Sequence, residues 1–213
     1  ANILSLLQKR NFSEAKLKCI EVENLYINNP EFQNIFAVIL FELKEFNHSI
    51  EKWKKAIDLN SNYFQAYNNL ANAFLNLKKY NEALENFNKA IKINQNDFQV
   101  YNNIGNTLTK LNKYQEALNF YDKAIQINSD YYEAYFNKGN VHVKKDDYVN
   151  ALNCFDKAIQ IKSDYLPALK SRNEIFVTHK NFDRALVELD KLIIYEPDNI
   201  NWYVQKAGIL SEI

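Results

Sequence analysis

Residues that make turns are scarce in this sequence, which has three glycines and three prolines among 213 residues. Architectures made of many short strands need such residues at their turns, so a turn-rich β fold is excluded. No segment approaches 18 consecutive apolar residues, so no membrane-spanning helix is expected. What remains is a helical chain long enough for one extended array or for one to two compact domains.

Excess charge of either sign is also absent, because 26 basic residues balance 26 acidic ones. Nucleic-acid-binding domains carry clustered lysine and arginine, and anionic membranes attract such clusters, so neither partner is expected. The two cysteines, Cys19 and Cys154, fit no C-x-x-C metal or redox motif. Both fall at positions that read as core, which favours an intracellular, cytoplasmic compartment.

The sequence does contain a repeat with a period of 34 residues. Residues 67–72, 101–106 and 135–140 align as YNNLAN, YNNIGN and YFNKGN. Self-similarity at this period indicates a solenoid, in which stacked units bury a shared core. We divide the chain into a partial leading repeat, five full repeats and one final helix: 1–29, 30–63, 64–97, 98–131, 132–165, 166–199 and 200–213. The whole of 1–213 is expected to be a single array.

Within each repeat, apolar or small residues recur at helical spacing, at positions 4, 7, 8 and 11 of a first helix. A second helix carries Ala at position 20, an aromatic at 24 and Ala at 27, as in Ala83, Phe87 and Ala90. This pattern resembles the tetratricopeptide repeat family over nearly the whole chain. The resemblance implies an all-α, right-handed superhelical solenoid of antiparallel helix pairs that acts as a protein-interaction scaffold.

The sequence departs from the family pattern at several positions, of which the turn and the core of one repeat concern the fold. Position 15 is a turn glycine in the family, whereas here it is lysine, asparagine or aspartate, and we expect strained or differently built turns there. The five residues are Lys44, Lys78, Asn112, Asp146 and Lys180. Leu189 and Leu192 stand where the family has an aromatic and alanine, so repeat 166–199 is expected to pack differently.

Charges at positions 7 and 25 change together along the chain. Where position 25 is aspartate, position 7 of the next repeat is a cation; where it is not, position 7 is apolar, as in Leu70 and Ile104. We therefore predict an inter-repeat ladder of three ion pairs: Asp122 with Lys138, Asp156 with Arg172, and Asp190 with Lys206.

The candidate binding surface is a second stripe on the first helices, which in this family lines the concave groove. Its positions 6 and 9 are all asparagine in three consecutive repeats: Asn69, Asn72, Asn103, Asn106, Asn137 and Asn140. Position 2 adds Gln65 and Gln99. An amide side chain both donates and accepts, so such rows can hold the main chain of an extended peptide. The competing explanation is composition, since the chain contains 32 asparagines.

The block Tyr-Asn-Asn-Ile-Gly-Asn also looks like the superhelical repeats of O-linked N-acetylglucosamine transferase, whose asparagine ladder binds extended peptides. That resemblance covers Asn69, Asn103 and Asn137 most directly and ends at Ser171 and Gln205. Co-chaperones of this family bind a C-terminal carboxylate through lysine and arginine on three successive repeats. This clamp is excluded, because those cations are missing whether the three repeats start at residue 64 or at residue 98.

No catalytic pattern is present. The histidines His48, His142 and His179 form no metal-ligand pair or triad, and with three glycines no phosphate loop is possible. We expect no enzyme activity, cofactor or metal, and a protein or peptide partner. Two alternatives stay open: a structural module of a larger assembly that self-associates, end to end or groove to groove, and the substrate-recruiting region of a longer enzyme.

Overall fold

The structure, a computed structural model, describes residues 2–213. Ala1, the first residue of the predicted leading repeat, lies outside the described residues. All regular structure in the described part of the chain is helical, which confirms the all-α prediction. The helices form two compact units, one up to Lys113 and the other Tyr114–Ile213.

Among the described residues, the first unit contains seven helices that pack in chain order. They are α1 (Ile3–Gln8), α2 (Phe12–Val22), α3 (Pro30–Glu42), α4 (Phe46–Leu59), α5 (Phe64–Asn76), α6 (Tyr80–Ile93) and α7 (Phe98–Lys110). The second unit contains six, again with neighbours in sequence packed together. They are α8 (Tyr114–Ile127), α9 (Tyr132–Lys144), α10 (Tyr148–Ile161), α11 (Leu166–Thr178), α12 (Phe182–Tyr195) and α13 (Ile200–Glu212).

The second helix of each repeat is amphipathic, and its apolar stripe lies in the core. Ala83, Phe87 and Ala90 on α6 have no exposed surface, and neither do Ala151, Phe155 and Ala158 on α10. Because positions 20 and 27 are alanine, the neighbouring helix can pack closely against the aromatic ring at position 24. In α12, Leu189 and Leu192 fill the same stripe and are equally buried, so the core there is aliphatic instead of aromatic.

The turns at position 15 all have the same left-handed backbone. φ lies between 54° and 64° at Lys44, Lys78, Asn112, Asp146 and Lys180, and also at Arg10 of the leading repeat. After α5, the N–H of Lys79 donates to the carbonyl of Phe74 at 2.8 Å and that of Lys78 to Leu75 at 2.9 Å. This is the Schellman arrangement, which satisfies the last carbonyls of the helix. The turns are therefore not differently built; lysine adopts the conformation that favours glycine.

Apolar side chains remain exposed at the first and last helices. In α13, Ile209 is buried against α12, whereas Ile200 and Val204 are 74% and 64% exposed. Leu25, after α2, is 80% exposed. None of the helices among residues 2–213 is both long and apolar enough to cross a membrane.

Candidate functional site

In the first unit, the predicted asparagine rows lie on α5 and α7. Positions 6 and 9 are four partly exposed side chains: Asn69, Asn72, Asn103 and Asn106. Gln65 and Gln99, at position 2 of the same helices, are exposed. In the second unit, Asn137 and Asn140 lie on α9 and are also partly exposed.

One of these amides is partly committed to the scaffold. Asn69 Nδ2 donates to Asn34 Oδ1 on α3 at 3.3 Å, and that oxygen also accepts from Trp53 Nε1 at 3.0 Å. One repeat later, the equivalent oxygen of Asn68 is buried without a hydrogen-bond partner, and Phe87 stands at the position of Trp53. A phenyl ring has no N–H to donate, so the acceptor loses the partner that the indole supplies.

Three amides of the rows are uncommitted. Within residues 2–213, the side chains of Asn72, Asn103 and Asn140 have no hydrogen-bond partner, whereas Asn106 and Asn137 do interact within the chain. The main-chain carbonyl of Asn103 accepts from Thr107 Oγ1 at 2.7 Å, and that of Asn72 from Asn76 Nδ2 at 3.0 Å. These contacts stay on the helix and leave both side-chain amides available to a ligand.

Next to Asn140, the second unit has a cavity of about 280 Å³. Its polar wall includes Ser171 and Glu174, which continue positions 6 and 9 on α11, and its other side is formed by Tyr148 and His179. The two rings meet edge to face with centroids 4.4 Å apart, and His179 Nδ1 lies 2.9 Å from the carbonyl of Ile175. Ser171 was predicted only as the point where the asparagine ladder ends; Glu174 and Tyr148 were not predicted.

The first unit has a larger and more apolar cavity, of about 490 Å³, between α1 and α3. Leu4, Tyr26, Phe32 and Ile35 contribute to its wall, and the rings of Tyr26 and Phe32 are stacked 5.5 Å apart. Ile35 is at position 6, where the next three repeats have asparagine. The amide character of the stripe in this unit is therefore confined to α5 and α7.

The repeats match a known family. Residues 64–97, 98–131 and 132–165 each match the tetratricopeptide repeat, and residues 38–78 match a second description of the same repeat. Together these matches cover residues 38–165, more than half of the chain. The chain belongs to the tetratricopeptide repeat family. The family generally mediates protein–protein interaction and is generally non-catalytic, and the fold class is the all-α solenoid of such repeats.

Several solved structures share this fold. The chain superimposes on Pseudomonas aeruginosa PilF with a TM-score of 0.78 at 19% identity, covering 97% of this chain and 94% of that one. A repeat protein from Parabacteroides merdae gives 0.79 at 15% identity, covering 99% and 84%. YrrB, described as having an unusual peptide-binding site, gives 0.67 at 23% identity, covering 89% and 97%. No curated protein matches the sequence.

Three cations stand at position 7, where the family pattern has an apolar residue, and all three pair with aspartate as predicted. Lys138 Nζ lies 2.6 Å from Asp122 Oδ1, and Arg172 and Lys206 pair with Asp156 and Asp190. The sequence did not predict that Arg172 also donates to both carboxylate oxygens of Glu188, at 2.9 and 2.7 Å. These cations belong to the tetratricopeptide scaffold, since each is held by a carboxylate on a neighbouring helix.

The two cysteines and His142 are engaged within the helical scaffold. Burial raises the pKa of Cys19 and of the half-buried Cys154 to about 11, so neither is a thiolate near neutral pH. His142 occupies a core position, and its Nδ1 lies 2.9 Å from Asp147 Oδ2. In the described part of the chain, no three His, Cys, Asp or Glu side chains are grouped to hold a metal ion.

Proposed function

We propose that this tetratricopeptide repeat chain is a protein-interaction scaffold that binds an extended peptide segment of a partner through the asparagine rows of its first helices. The observation that carries the proposal is the set of uncommitted, partly exposed amides at Asn72, Asn103 and Asn140. Each amide can donate to a peptide carbonyl and accept from a peptide N–H, so recognition by the main chain does not require a particular ligand sequence.

Energetics require several such contacts at once. One hydrogen bond contributes about 0.5–1.5 kcal/mol net, whereas micromolar affinity corresponds to about 8 kcal/mol. The uncommitted Asn72, Asn103 and Asn140 and the exposed Gln65 and Gln99 each offer a donor and an acceptor, so a ligand can form several of these bonds. The resemblance of the YNNIGN block to the peptide-binding repeats of O-linked N-acetylglucosamine transferase supports the same mode, as does the likeness to YrrB.

The test is binding to an array of immobilised peptides of random sequence. Asn72→Ala/Asn103→Ala/Asn140→Ala is expected to lose most of the bound peptides. The matched control, Asn88→Ala/Asn119→Ala/Asn153→Ala, removes as many exposed amides from second helices and should keep them. Equal retention by both variants, with unchanged circular dichroism, would contradict the role of the rows.

Self-association is the second candidate function, and the exposed apolar side chains of α13 favour it. Ile200, Tyr203 and Val204 are 74%, 47% and 64% exposed on one helix. Light scattering over a concentration series tests this: a dimer that Tyr203→Ser/Val204→Ser dissociates would support it. A monomer at all concentrations would eliminate this candidate and leave the peptide proposal in place.

A further inference from the structure

The cavity beside Asn140 differs from the rest of the asparagine stripe because it contains a carboxylate. Position 9 is Asn72, Asn106 and Asn140 in successive repeats and becomes Glu174 on α11. Glu174 lines the cavity together with Ser171 and Tyr148. An amide accepts either a hydrogen-bond donor or an acceptor as its partner. A carboxylate at the same position favours a cation instead.

The carboxylate of Glu174 is not used by the scaffold. Within residues 2–213 it forms no ion pair or hydrogen bond. Glu174 is exposed, whereas the less exposed Glu188 and Glu196 of this unit pair with Arg172 and Lys170. Lysine and arginine are absent from the cavity wall, so Glu174 faces a space that no cation of the protein fills.

The rest of the wall suits a cationic side chain. The Asn140 carbonyl and the hydroxyls of Ser171 and Thr178 are acceptors, and the ring of Tyr148 provides an aromatic edge or face. His179 Nδ1 lies 2.9 Å from the carbonyl of Ile175, so this ring nitrogen is engaged within α11 and does not contact a ligand. The volume, about 280 Å³, lies at the lower limit of pockets that take whole small molecules, about 300–1,000 Å³, and fits one long side chain.

We propose that this cavity is a specificity pocket for a basic residue of the peptide ligand, with arginine preferred over lysine. The inference rests on the proposed function, since the peptide main chain must lie along the first helices for a side chain to enter. A guanidinium presents several donors in one plane and can contact Glu174, Asn140 and Ser171 together, whereas an ammonium acts as a point charge.

The test uses random peptide pools in which one position is fixed as Arg, Lys, Ala or Glu. The full chain is expected to retain the Arg pool about tenfold better than the Ala pool, the ratio that one charge-assisted hydrogen bond represents. Lys should fall between them, and Glu should bind worst. Glu174→Gln should bind the Arg and Ala pools equally, and Glu174→Arg should prefer the Glu pool. Glu51→Gln, an exposed glutamate on α4, is the control and should keep the Arg preference.

The outcomes separate this inference from the proposal on which it rests. In one outcome, the wild type binds all pools equally and the triple asparagine variant binds none. This would overturn the specificity pocket and leave the scaffold proposal in place. An Arg preference that persists in Glu174→Gln would also overturn it, by placing the basic residue elsewhere. Absence of binding in every pool would overturn both.

Discussion

The ammonium group of Lys138 on α9 lies 2.6 Å from the carboxylate of Asp122 on α8, sixteen residues earlier in the chain. The same separation joins Arg172 to Asp156. Each pair links the second helix of one repeat to the first helix of the next. A single sequence revealed these contacts because the two columns change together: repeats without the aspartate have Leu70 or Ile104 in place of the cation.

The side chains of these ion pairs differ in solvent exposure, and their expected contributions to stability differ accordingly. Asp156 is 58% exposed, whereas Arg172 and Glu188 are 12% and 3% exposed. Asp156→Ala should therefore lower the free energy of unfolding by only about 0.2–1 kcal/mol, as surface pairs do. That loss should still exceed the effect of Lys54→Ala, at the same repeat position without a following cation. Urea denaturation of both variants decides this, and equal effects would contradict a stabilising ladder.

Removing Arg172 has a larger expected effect, because it leaves the carboxylate of Glu188 buried. Of the cations in residues 2–213, Lys191 alone would then remain within ion-pair distance of Glu188, at 3.8 Å. Orphaning one partner of a buried pair costs about 3–5 kcal/mol, so Arg172→Leu should lose several times more stability than Asp156→Ala. Glu188→Leu in the Arg172→Leu background should restore much of it. A double variant as unstable as the single one would show that the charge of Glu188 is not the cause.

Glu188 also shows why sequence analysis predicted only part of this network. Position 23 is a different residue in each successive repeat: Lys52, Asn86, Phe120, Cys154 and Glu188. Comparison of the repeats therefore could not predict the contact that Glu188 makes. The fold was predictable because its determinants recur: the aromatic at position 24 is buried as Trp53, Phe87, Tyr121 and Phe155. Comparison of repeats at a 34-residue period predicts the features that the repeats share, and it cannot predict a contact that occurs in one repeat alone.

The left-handed turns should gain stability from glycine. Lys44, Lys78 and Lys180 have φ of 64°, 58° and 54°. A side chain in the left-handed backbone region costs about 1–2 kcal/mol, which replacement by glycine would relieve. Glycine also makes the unfolded chain more flexible, which offsets about 0.5–1 kcal/mol of that stabilisation. Each Lys→Gly change should therefore stabilise the chain by about 0.5–1 kcal/mol, measured by urea denaturation.

A neighbouring lysine provides the control for this prediction. Lys79, next to Lys78, has φ of −86°, where glycine brings no relief. Lys79→Gly should leave stability unchanged or reduce it. Asn112→Gly should gain less than the lysine variants, because asparagine tolerates the left-handed region better. A gain at Lys79 equal to that at Lys78 would rule out backbone strain as the cause.

The candidate site was less predictable than the fold, for the same reason of periodicity. The rows at positions 6 and 9 were visible as repeated asparagines. The pocket beside Asn140 forms where the repetition ends, at Ser171 and Glu174, and its wall includes Tyr148 from the second helix of the preceding repeat. The bond from Asn69 to Asn34 was equally hidden, because no other repeat has both Asn at position 5 and Trp at position 24.

Two glycines should respond to alanine in opposite directions. A Cβ at Gly139 would lie 2.6 Å from Cε1 of Phe155, a fully buried ring whose centroid lies 5.8 Å from that of Phe136. Overpacking costs about 1–3 kcal/mol, which outweighs the gain of about 1 kcal/mol in helix propensity. A Cβ at Gly208 meets nothing within 4 Å, so Gly208→Ala should stabilise the chain. Gly139→Ala should lower the thermal midpoint, and gains of equal size in both would disprove the steric argument.

Glu196 should make the end of the second unit sensitive to acid. Its carboxylate accepts from Lys170 Nζ at 2.7 Å, Trp202 Nε1 at 2.9 Å and Asn199 Nδ2 at 3.1 Å. These bonds, with Lys170 the largest contributor, lower the pKa of Glu196 from 4.5 to about 2. Because the folded pKa lies below the unfolded one, the stabilisation is complete above about pH 4.5 and is lost as the pH falls towards 2.

Comparison with Glu196→Gln isolates this effect from other carboxylates whose pKa is also lowered, such as Glu45 and Asp147. The wild type should melt at a higher temperature than Glu196→Gln at neutral pH, and the difference should shrink between about pH 4.5 and pH 2. Trp202→Phe removes one donor to Glu196 and brings its folded pKa closer to 4.5, so the loss of stabilisation should be smaller and complete at a higher pH than in the wild type. A difference between wild type and Glu196→Gln that stays constant over this range would mean that the three donors do not hold the carboxylate in its charged form.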